Sequence, residues 1–208
     1  MKTLIKMTLV LTIIGLFAAS ALAQTADNTE YRMHKPLRLT FPQFTIAPYG
    51  GVIFPLPKEL SQDFKPGANL NIDLGYRANR EVGFYAKAGY YIMNSKISGA
   101  PIGNYLEISA GPRYYFTKVN VKSELYLEGG VGAYNFIQKS YANPVGLNGS
   151  VLSEINNTKA GINGGIGANL ALTEAMDLMI KSKYHVIFIP NGTISFITVG
   201  GGLSFRFR

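Results

Sequence analysis

From residue 44 onward, apolar residues alternate with polar or small residues in eight successive segments. The clearest segment is 68–77, where Leu70, Ile72 and Leu74 are separated by asparagine and aspartate. A period of two places alternate side chains on opposite faces of a β-strand. Each segment is about as long as a tilted strand that crosses a bilayer. The predicted strands are 44–54, 68–77, 82–93, 104–116, 124–136, 159–172, 177–188 and 194–208.

The connections between these strands mostly alternate between short and long. The short ones lie near 78–80, 117–123 and 173–175. The others are longer, apart from 190–193, and the longest begins at Gln138 and ends at Thr158. Short turns at one end and long loops at the other are typical of outer-membrane barrels, in which both termini are periplasmic. The predicted fold class is therefore all-β, an eight-stranded antiparallel up-and-down transmembrane β-barrel over residues 44–208.

Two prolines conflict with a regular closed ladder. Pro48 and Pro112 lie inside predicted strands, and a barrel has no edge strand where a missing backbone donor is harmless. We expect a β-bulge at Pro48, which would reconcile the residue with the strand, and Pro112 raises the same question.

The start of the chain predicts export. Two lysines precede an apolar run from Met7 to Ala19, and small residues at Ala21 and Ala23 follow. This is the pattern of a secretory signal peptide over 1–23, cleaved after Ala23. A membrane anchor is disfavoured, because the run is short for a spanning helix and no charged stop-transfer cluster follows. Residues 24–43 are polar and aperiodic, and we interpret them as a flexible periplasmic leader.

Composition narrows the class of protein. Charged residues make up only 15 % of the chain, which has 23 glycines, 13 tyrosines, 12 phenylalanines and no cysteine. Disulfide scaffolds and lipid-modified cysteines are thereby excluded, and the absence of a second long apolar run excludes a helical membrane protein. Removing the signal takes away two lysines and no acids, so the formal charge of +8 becomes +6. This excess is small and unclustered, which does not favour nucleic-acid binding.

Alternation alone does not say which face lies outside. A secreted, lipocalin-like ligand-binding barrel would turn its apolar face inward. Against this alternative, the polar face is rich in glycine and asparagine, the chain lacks tryptophan, and it ends on a strand. We therefore assign the apolar face to lipid and the polar face to the lumen.

The lumen then receives a set of charged residues and one histidine. Six cations face five anions, and an eight-stranded barrel has room inside only for side chains, so a nearly neutral, plugged lumen is expected. The predicted lumen network is Asp73, Arg77, Lys87, Glu107, Arg113, Glu124, Glu128, Asp177, Lys181, Lys183, His185 and Arg206.

Strand register predicts specific neighbours in this network. If the fourth and fifth strands fold about 119–121, Arg113 lies opposite Glu128 on the inner face. Gly165 and Gly167 are expected beside Lys181 and Lys183, where their missing side chains would make room for the lysines.

The last strand carries the most specific motif. Residues 202–207 read Gly-Leu-Ser-Phe-Arg-Phe, a glycine followed at fixed spacing by a hydrophobic residue and an aromatic one. The chain resembles the OmpA/OmpX-type outer-membrane barrel superfamily. That resemblance implies an outer-membrane location, contact with membrane lipid and lipopolysaccharide, and insertion by the barrel-assembly machinery through Gly202, Phe205 and Phe207. Arg208 departs from the family, in which the aromatic is usually the final residue.

No residue pattern indicates catalysis, a cofactor or a metal. The two histidines, His34 and His185, are far apart in the chain. Deacylase barrels of this type pair His with Ser two residues on, whereas His185 is followed by Val186 and Ile187. A glycine-rich run over 161–167 lacks the strand–turn–helix context of a phosphate loop.

Three functions stay open at this point. The leading one is a structural or surface-interaction barrel that meets an extracellular partner through the connection from Gln138 to Thr158. The others are a narrow porin-like channel and a lipid A-modifying enzyme. Four loop lysines could meet anionic headgroups or simply be solvated; they are Lys58, Lys65, Lys96 and Lys139.

Overall fold

A computed structural model describes residues 41–56, 64–96, 103–116, 123–138, 141–142, 151–152, 155–190 and 192–207. The signal peptide, residues 24–40 of the leader, Lys58, Lys139 and Arg208 lie outside these residues, so the predictions made for them stay predictions. None of the described residues forms a helix long and apolar enough to cross a membrane.

Eight long strands close into one antiparallel barrel, as predicted. They are β1 (Gln43–Leu56), β2 (Gly67–Arg77), β3 (Val82–Met93), β4 (Gly103–Tyr115), β5 (Ser123–Gln138), β8 (Ile155–Ala171), β9 (Met176–Ile189) and β10 (Gly192–Phe207). Two short strands, β6 (Tyr141–Ala142) and β7 (Val151–Leu152), pair with each other between β5 and β8. Each long strand pairs with the preceding long strand, and β1 pairs with β10 to close the ring.

The two ends of the barrel differ in their connections. The start of β1, the end of β10 and the connections β2–β3, β4–β5 and β8–β9 share one end, which we call the short-turn end. The opposite end, with the connections β1–β2, β3–β4, β5–β8 and β9–β10, is the loop end.

Strands β5 and β8 are longer than predicted. Their ladder continues to the pair of Gln138 with Ile155, so both termini of the predicted long connection belong to strands. The extension was missed because Asn156, Asn157 and Thr158 break the apolar alternation. Side-chain hydrogen bonds of 2.8 Å from Asn135 to Asn156 Oδ1 and to Thr158 Oγ1 join the two strands there.

The face assignment from sequence agrees with side-chain exposure. Leu70, Ile108 and Val131 point outward and are 65–68 % exposed. Asp73 and Lys87, on the opposite face of their strands, are buried inside the ring. The apolar residues therefore form the outer wall, as expected of a barrel surrounded by lipid.

Aromatic side chains border this apolar wall at both ends. Two of them, Phe44 and Tyr76, lie on neighbouring strands with ring centroids 5.0 Å apart. Such girdles mark the levels of the lipid headgroups. The exposed rings near the short-turn end are Phe44, Tyr76, Phe84, Tyr114, Phe116, Phe205 and Phe207, and those near the loop end are Phe54, Tyr90 and Phe188.

The bulge expected at Pro48 does not occur. In the β1–β10 ladder Ile46 pairs with Phe205 and Tyr49 pairs with Gly202, so the same number of residues separates the pairs on both strands. The ladder simply skips the proline, which has no N–H to donate, and its register is unchanged.

Pro112 is accommodated in the same way. The β4–β5 ladder passes from Ala110 and Val131 to Arg113 and Glu128 without an inserted residue. On its other side Pro112 keeps its place in the register of β3 and β4. Each proline therefore interrupts one of its two neighbouring ladders, and the barrel closes around the gap.

Candidate functional site

The candidate site is the barrel interior, where the structure brings together all twelve residues of the predicted lumen network. Ten of them are buried, and Glu124 and Arg206 are partly exposed. All eleven charged residues take part in ion pairs. The side chains are arranged in layers along the barrel axis.

The central cluster consists of Asp73, Arg113, Glu128, Lys181 and Lys183. Arg113 lies opposite Glu128 in the β4–β5 register, as predicted, and its Nη2 is 2.5 Å from Glu128 Oε2. The same Nη2 is 3.0 Å from Asp73 Oδ2 on β2. Lys181 contacts both carboxylates, and Lys183 Nζ lies 2.9 Å from Glu128 Oε1. Two carboxylates and three cations thus link β2, β4, β5 and β9 across the barrel.

Tyrosine rings enclose these cations. The guanidinium carbon of Arg113 lies 4.5 Å from the ring centroid of Tyr126, Lys183 Nζ lies 4.1 Å from that of Tyr85, and Lys181 approaches Tyr49. Cation–π contacts of this kind strengthen when they are removed from water.

Above the centre, toward the loop end, a histidine cluster is built around Glu107. Lys87 Nζ lies 2.8 Å from Glu107 Oε2, and Ser109 donates a hydrogen bond of 2.6 Å to Oε1. Tyr134 Oη is 3.1 Å from His185 Nδ1. The ring of His185 stacks on Phe196 with 4.6 Å between centroids. His185 is thereby held inside the barrel wall, away from the lipid-facing surface.

At the short-turn end, two separate ion pairs complete the charged set. Arg77 Nη1 lies 2.7 Å from Glu124 Oε1, and its guanidinium carbon lies 3.9 Å from the ring centroid of Tyr115. Arg206 Nη2 lies 2.5 Å from Asp177 Oδ1. These pairs join β2 to β5 and β9 to β10.

At the loop end, the interior becomes apolar. We call this group the loop-end layer; it consists of Ile53, Tyr91, Met93, Tyr105, Tyr134, Ile187 and Phe196, with Phe64, Phe136 and Ile194 packed against it. The ring of Tyr105 lies 4.7 Å from that of Phe136 and 6.2 Å from that of Phe196. Aromatic rings from β4, β5 and β10 thus meet above the charged clusters.

Sequence reasoning did not single out this layer, although the period of two could have found it. Tyr105 and Phe196 each lie an even number of residues from a residue correctly assigned to the lumen, Glu107 and Arg206. The predicted network followed charge along the inner face and did not continue the same parity to the apolar residues at the ends of the strands.

The prediction for the interior glycines was right in position but only half right in its reason. Gly165 pairs with Lys183 and Gly167 with Lys181. A Cβ at Gly165 would lie 2.3 Å from the backbone oxygen of Ser182 and 2.7 Å from Lys183 Cγ, whereas one at Gly167 would lie 2.2 Å from Cζ of Tyr126 on the other neighbouring strand. Gly165 therefore allows close approach of the β9 backbone as well as of a lysine, and Gly167 makes room for a tyrosine ring.

Inside the barrel, acidic and basic side chains neutralise one another. Each carboxylate lies within ion-pair distance of a cation, as buried charges require. Within the described part of the chain, no group of three or more histidine, aspartate or glutamate side chains could hold a metal ion.

The fold and its interior define a class of protein, a transmembrane β-barrel with a lipid-facing apolar wall and ion pairs inside. The sequence model of the outer membrane protein beta-barrel domain family matches residues 9–207. The chain belongs to this family, and its location is the outer membrane.

Comparison with solved structures gives the same fold. Neisserial surface protein A (NspA) has a TM-score of 0.58 and 19 % identity, covering 79 % of this chain and 97 % of that one. The outer membrane protein OprG from Pseudomonas aeruginosa has a TM-score of 0.56 and 13 % identity, covering 84 % and 100 %. A major outer membrane protein from Thermus thermophilus has a TM-score of 0.54 and 13 % identity, covering 79 % and 99 %. A comparison with curated proteins found no match.

Proposed function

We propose that this protein is a non-conducting outer-membrane barrel that presents its loop end to the cell exterior for surface interaction. The observation that carries the proposal is the filled interior, in which ion pairs link strands across the barrel and an apolar aromatic layer lies above them. The short-turn end, by analogy with outer-membrane barrels in general, faces the periplasm.

A closed lumen is favoured over a narrow channel for two reasons. The central cluster links β2, β4, β5 and β9 by direct contacts, which leaves the cations and carboxylates paired with one another and not with passing ions. The loop-end layer adds an apolar section, where a hydrated ion would lose water without gaining polar partners.

The proposal assigns no catalytic role. His185 is fully buried and stacked on Phe196, so its ring does not reach lipid on the outer surface. Ser109 donates its hydroxyl proton to Glu107 inside the barrel. Unchanged lipid A mass in cells that overproduce the protein would agree with this assignment, and a new lipid A species would contradict it.

Single-channel recording in planar bilayers tests the closed lumen. We expect no steady conductance above roughly a few tens of picosiemens, a threshold set by the narrow interior of eight-stranded barrels. A steady conductance above that level would favour the porin-like alternative.

The surface role is supported by the length of the β5–β8 hairpin, which exceeds that of the other hairpins at the loop end. Deleting residues 142–154 should leave the barrel folded and remove binding of whole cells to immobilised extracellular proteins. Because the barrel strands themselves are retained, a folded deletion variant that binds as well as the parent would refute the role of the hairpin.

A further inference from the structure

A groove crosses the lipid-facing wall where two outward-facing glycines are paired. Gly129 of β5 lies opposite Gly164 of β8 in the ladder, and Pro112 of β4 occupies the register position beside Gly129. A Cβ built on either glycine would have its nearest neighbour 3.8 Å away, at a backbone oxygen. Three adjacent strands therefore lack a long side chain at this place, and the wall is indented there.

Larger apolar side chains border the indentation. Leu127 and Ile166 lie on the side toward the short-turn end, and Tyr184 lies beyond Gly164 on β9. The groove between them has a volume of about 800 Å³, which is in the range of sites that hold small ligands. Its lining is predominantly apolar, so the groove suits a hydrocarbon ligand and not a charged one.

The strand registers place the groove midway between the two aromatic girdles. Outward-facing residues on neighbouring strands form a row that rises around the barrel from the girdle at the short-turn end to the girdle at the loop end. The row consists of Phe44, Tyr76, Phe84, Pro112, Gly129, Gly164, Tyr184, Ile197 and Phe54. Gly129 is its middle member. Because the girdles mark the headgroup levels, the groove lies near the centre of the hydrocarbon core.

The same arrangement recurs on the opposite side of the barrel. Gly50 of β1 pairs with Gly201 of β10, and β1 lies across the ring from β5. A second groove, of about 640 Å³, includes both of these glycines. They lie near the middle of another row, which rises from Phe116 to Tyr90. The outer wall is therefore indented on two sides at the centre of the membrane.

The depth of the groove at Gly129 and Gly164 decides what fills it. Its rim belongs to the wall that faces lipid, and at this depth the surrounding medium consists of the distal parts of acyl chains. Space left empty beside apolar side chains forfeits dispersion contacts, so a flexible chain that conforms to the groove is favoured over a void. A second copy of the barrel, related by a two-fold axis through the groove, would bring its own glycines there and leave the space unfilled.

We propose that the groove at Gly129 and Gly164 binds the distal part of a phospholipid acyl chain and holds it longer than the rest of the wall holds its lipids. A chain in the groove touches side chains on both sides as well as the floor, whereas a chain on the convex wall touches protein on one side only. The inference concerns the lipid-facing wall and does not depend on the surface role of the loop end.

Photolabelling in lipid nanodiscs that hold a single barrel tests the proposal. The probe is a phosphatidylethanolamine with a diazirine at the end of one acyl chain, and labelled residues are identified by mass spectrometry. Labelling of Leu127 and Ile166, which line the groove, should exceed that of the more exposed Ile108 by about threefold or more, because more carbon contacts hold the chain there. A lipid with the diazirine beside the ester should not show this preference, because its reactive group lies at the level of the girdles.

Filling the groove should remove the preference. Gly164→Leu places a side chain in the open space above the floor and should lower the labelling of Leu127 and Ile166 to the level of Ile108. Gly129→Leu fills the same space from the neighbouring strand and should have the same effect, so the test stands if one of the two variants does not fold. The matched control is Ala86→Leu, which adds a leucine to the exposed wall of β3 outside both grooves and should leave the labelling unchanged.

Three results would overturn the inference. They are equal labelling around the whole wall, unchanged labelling in the folded leucine variants, and labelling of the groove in single-barrel nanodiscs that disappears in vesicles crowded with the protein. The last result would mean that a second copy, and not an acyl chain, covers the groove in the membrane.

Discussion

At the scale of single residues, Arg113 and Lys183 of the central cluster should contribute unequally to the free energy of unfolding. Arg113 contacts Asp73 and Glu128, whereas the ion pair of Lys183 involves Glu128 alone. Arg113→Met leaves two buried carboxylates short of a partner and should cost about 3–5 kcal/mol of unfolding free energy. Lys183→Met should cost clearly less. Urea unfolding in lipid vesicles measures both, and equal losses would contradict the ranking.

The same contacts alter what a charge exchange between Arg113 and Glu128 would do. An arginine at position 128 would face Lys181 and Lys183, and a glutamate at position 113 would face Asp73. Exchanging the two charges therefore should not restore stability, although the two residues do lie opposite each other. Strand register identifies which residues are neighbours, but the effect of a substitution on the free energy of unfolding depends on all the charges in the cluster.

Two glycines on β8 provide a matched comparison of steric effects. A Cβ at Gly167 would overlap the ring of Tyr126, whereas the nearest atom to a Cβ at Gly164 is 3.8 Å away. Gly167→Ala should destabilise the barrel by about 1–3 kcal/mol through overpacking, while Gly164→Ala should be nearly neutral.

A second substitution should relieve the clash that a side chain at Gly167 would cause. Replacing Tyr126 by leucine in the Gly167→Ala background should recover part of the lost unfolding free energy, because the ring atoms that meet the new Cβ are removed. If the double variant is no more stable than the sum of the two single losses predicts, the ring is not the cause.

At the scale of strands, replacing Pro112 tests how much the gap in the β4–β5 hydrogen-bond ladder lowers the stability of the barrel. The β4–β5 ladder skips Pro112 without a bulge, so a residue with an N–H can complete the ladder in the same register. Pro112→Val should stabilise the barrel by about 0.5–1.5 kcal/mol and slow amide exchange along β4 and β5.

The control for that prediction is Ala110→Val on the same outward face of the same strand. It adds apolar side-chain volume without adding a backbone donor. If both valine variants gain equally, lipid contact explains the effect and the ladder does not.

Strands and faces could be predicted because the lipid-exposed wall imposes a strict period of two. Leu70 is apolar and faces lipid, whereas Asp73 is acidic and faces the lumen, so side-chain chemistry alone assigns each residue to its face. This rule fails beyond the edge of the lipid. Asn156, Asn157 and Thr158 continue β8 into water, where nothing selects apolar residues at alternate positions, so their strand could not be read from the sequence.

Contacts across the barrel interior were beyond sequence reasoning for a related reason. Adjacent-strand register brings Arg113 to Glu128, but the contact between Arg113 and Asp73 spans 40 residues and depends on the curvature of the closed ring. The room that Gly167 leaves for Tyr126 likewise depends on how side chains fill a narrow interior.

At the scale of the whole molecule, two groups of side chains cross the interior at different levels along the barrel axis. The central cluster links strands through ion pairs, and the loop-end layer adds rings from β4, β5 and β10. The two groups differ in chemistry and in the residues that form them, so removing part of one should leave the other in place.

Phe196 separates these contributions, since its ring contacts Tyr91, Tyr105 and His185 in the upper interior and none of the central cluster. Phe196→Ala should therefore destabilise the barrel by about 3–5 kcal/mol yet remain non-conducting in planar bilayers. The control is Phe188→Ala, which also truncates an aromatic side chain but removes its ring from the lipid-facing wall of β9. A steady conductance in Phe196→Ala but not in Phe188→Ala would mean that the apolar layer alone closes the lumen and that the ion pairs, although continuous in the structure, allow ions to pass.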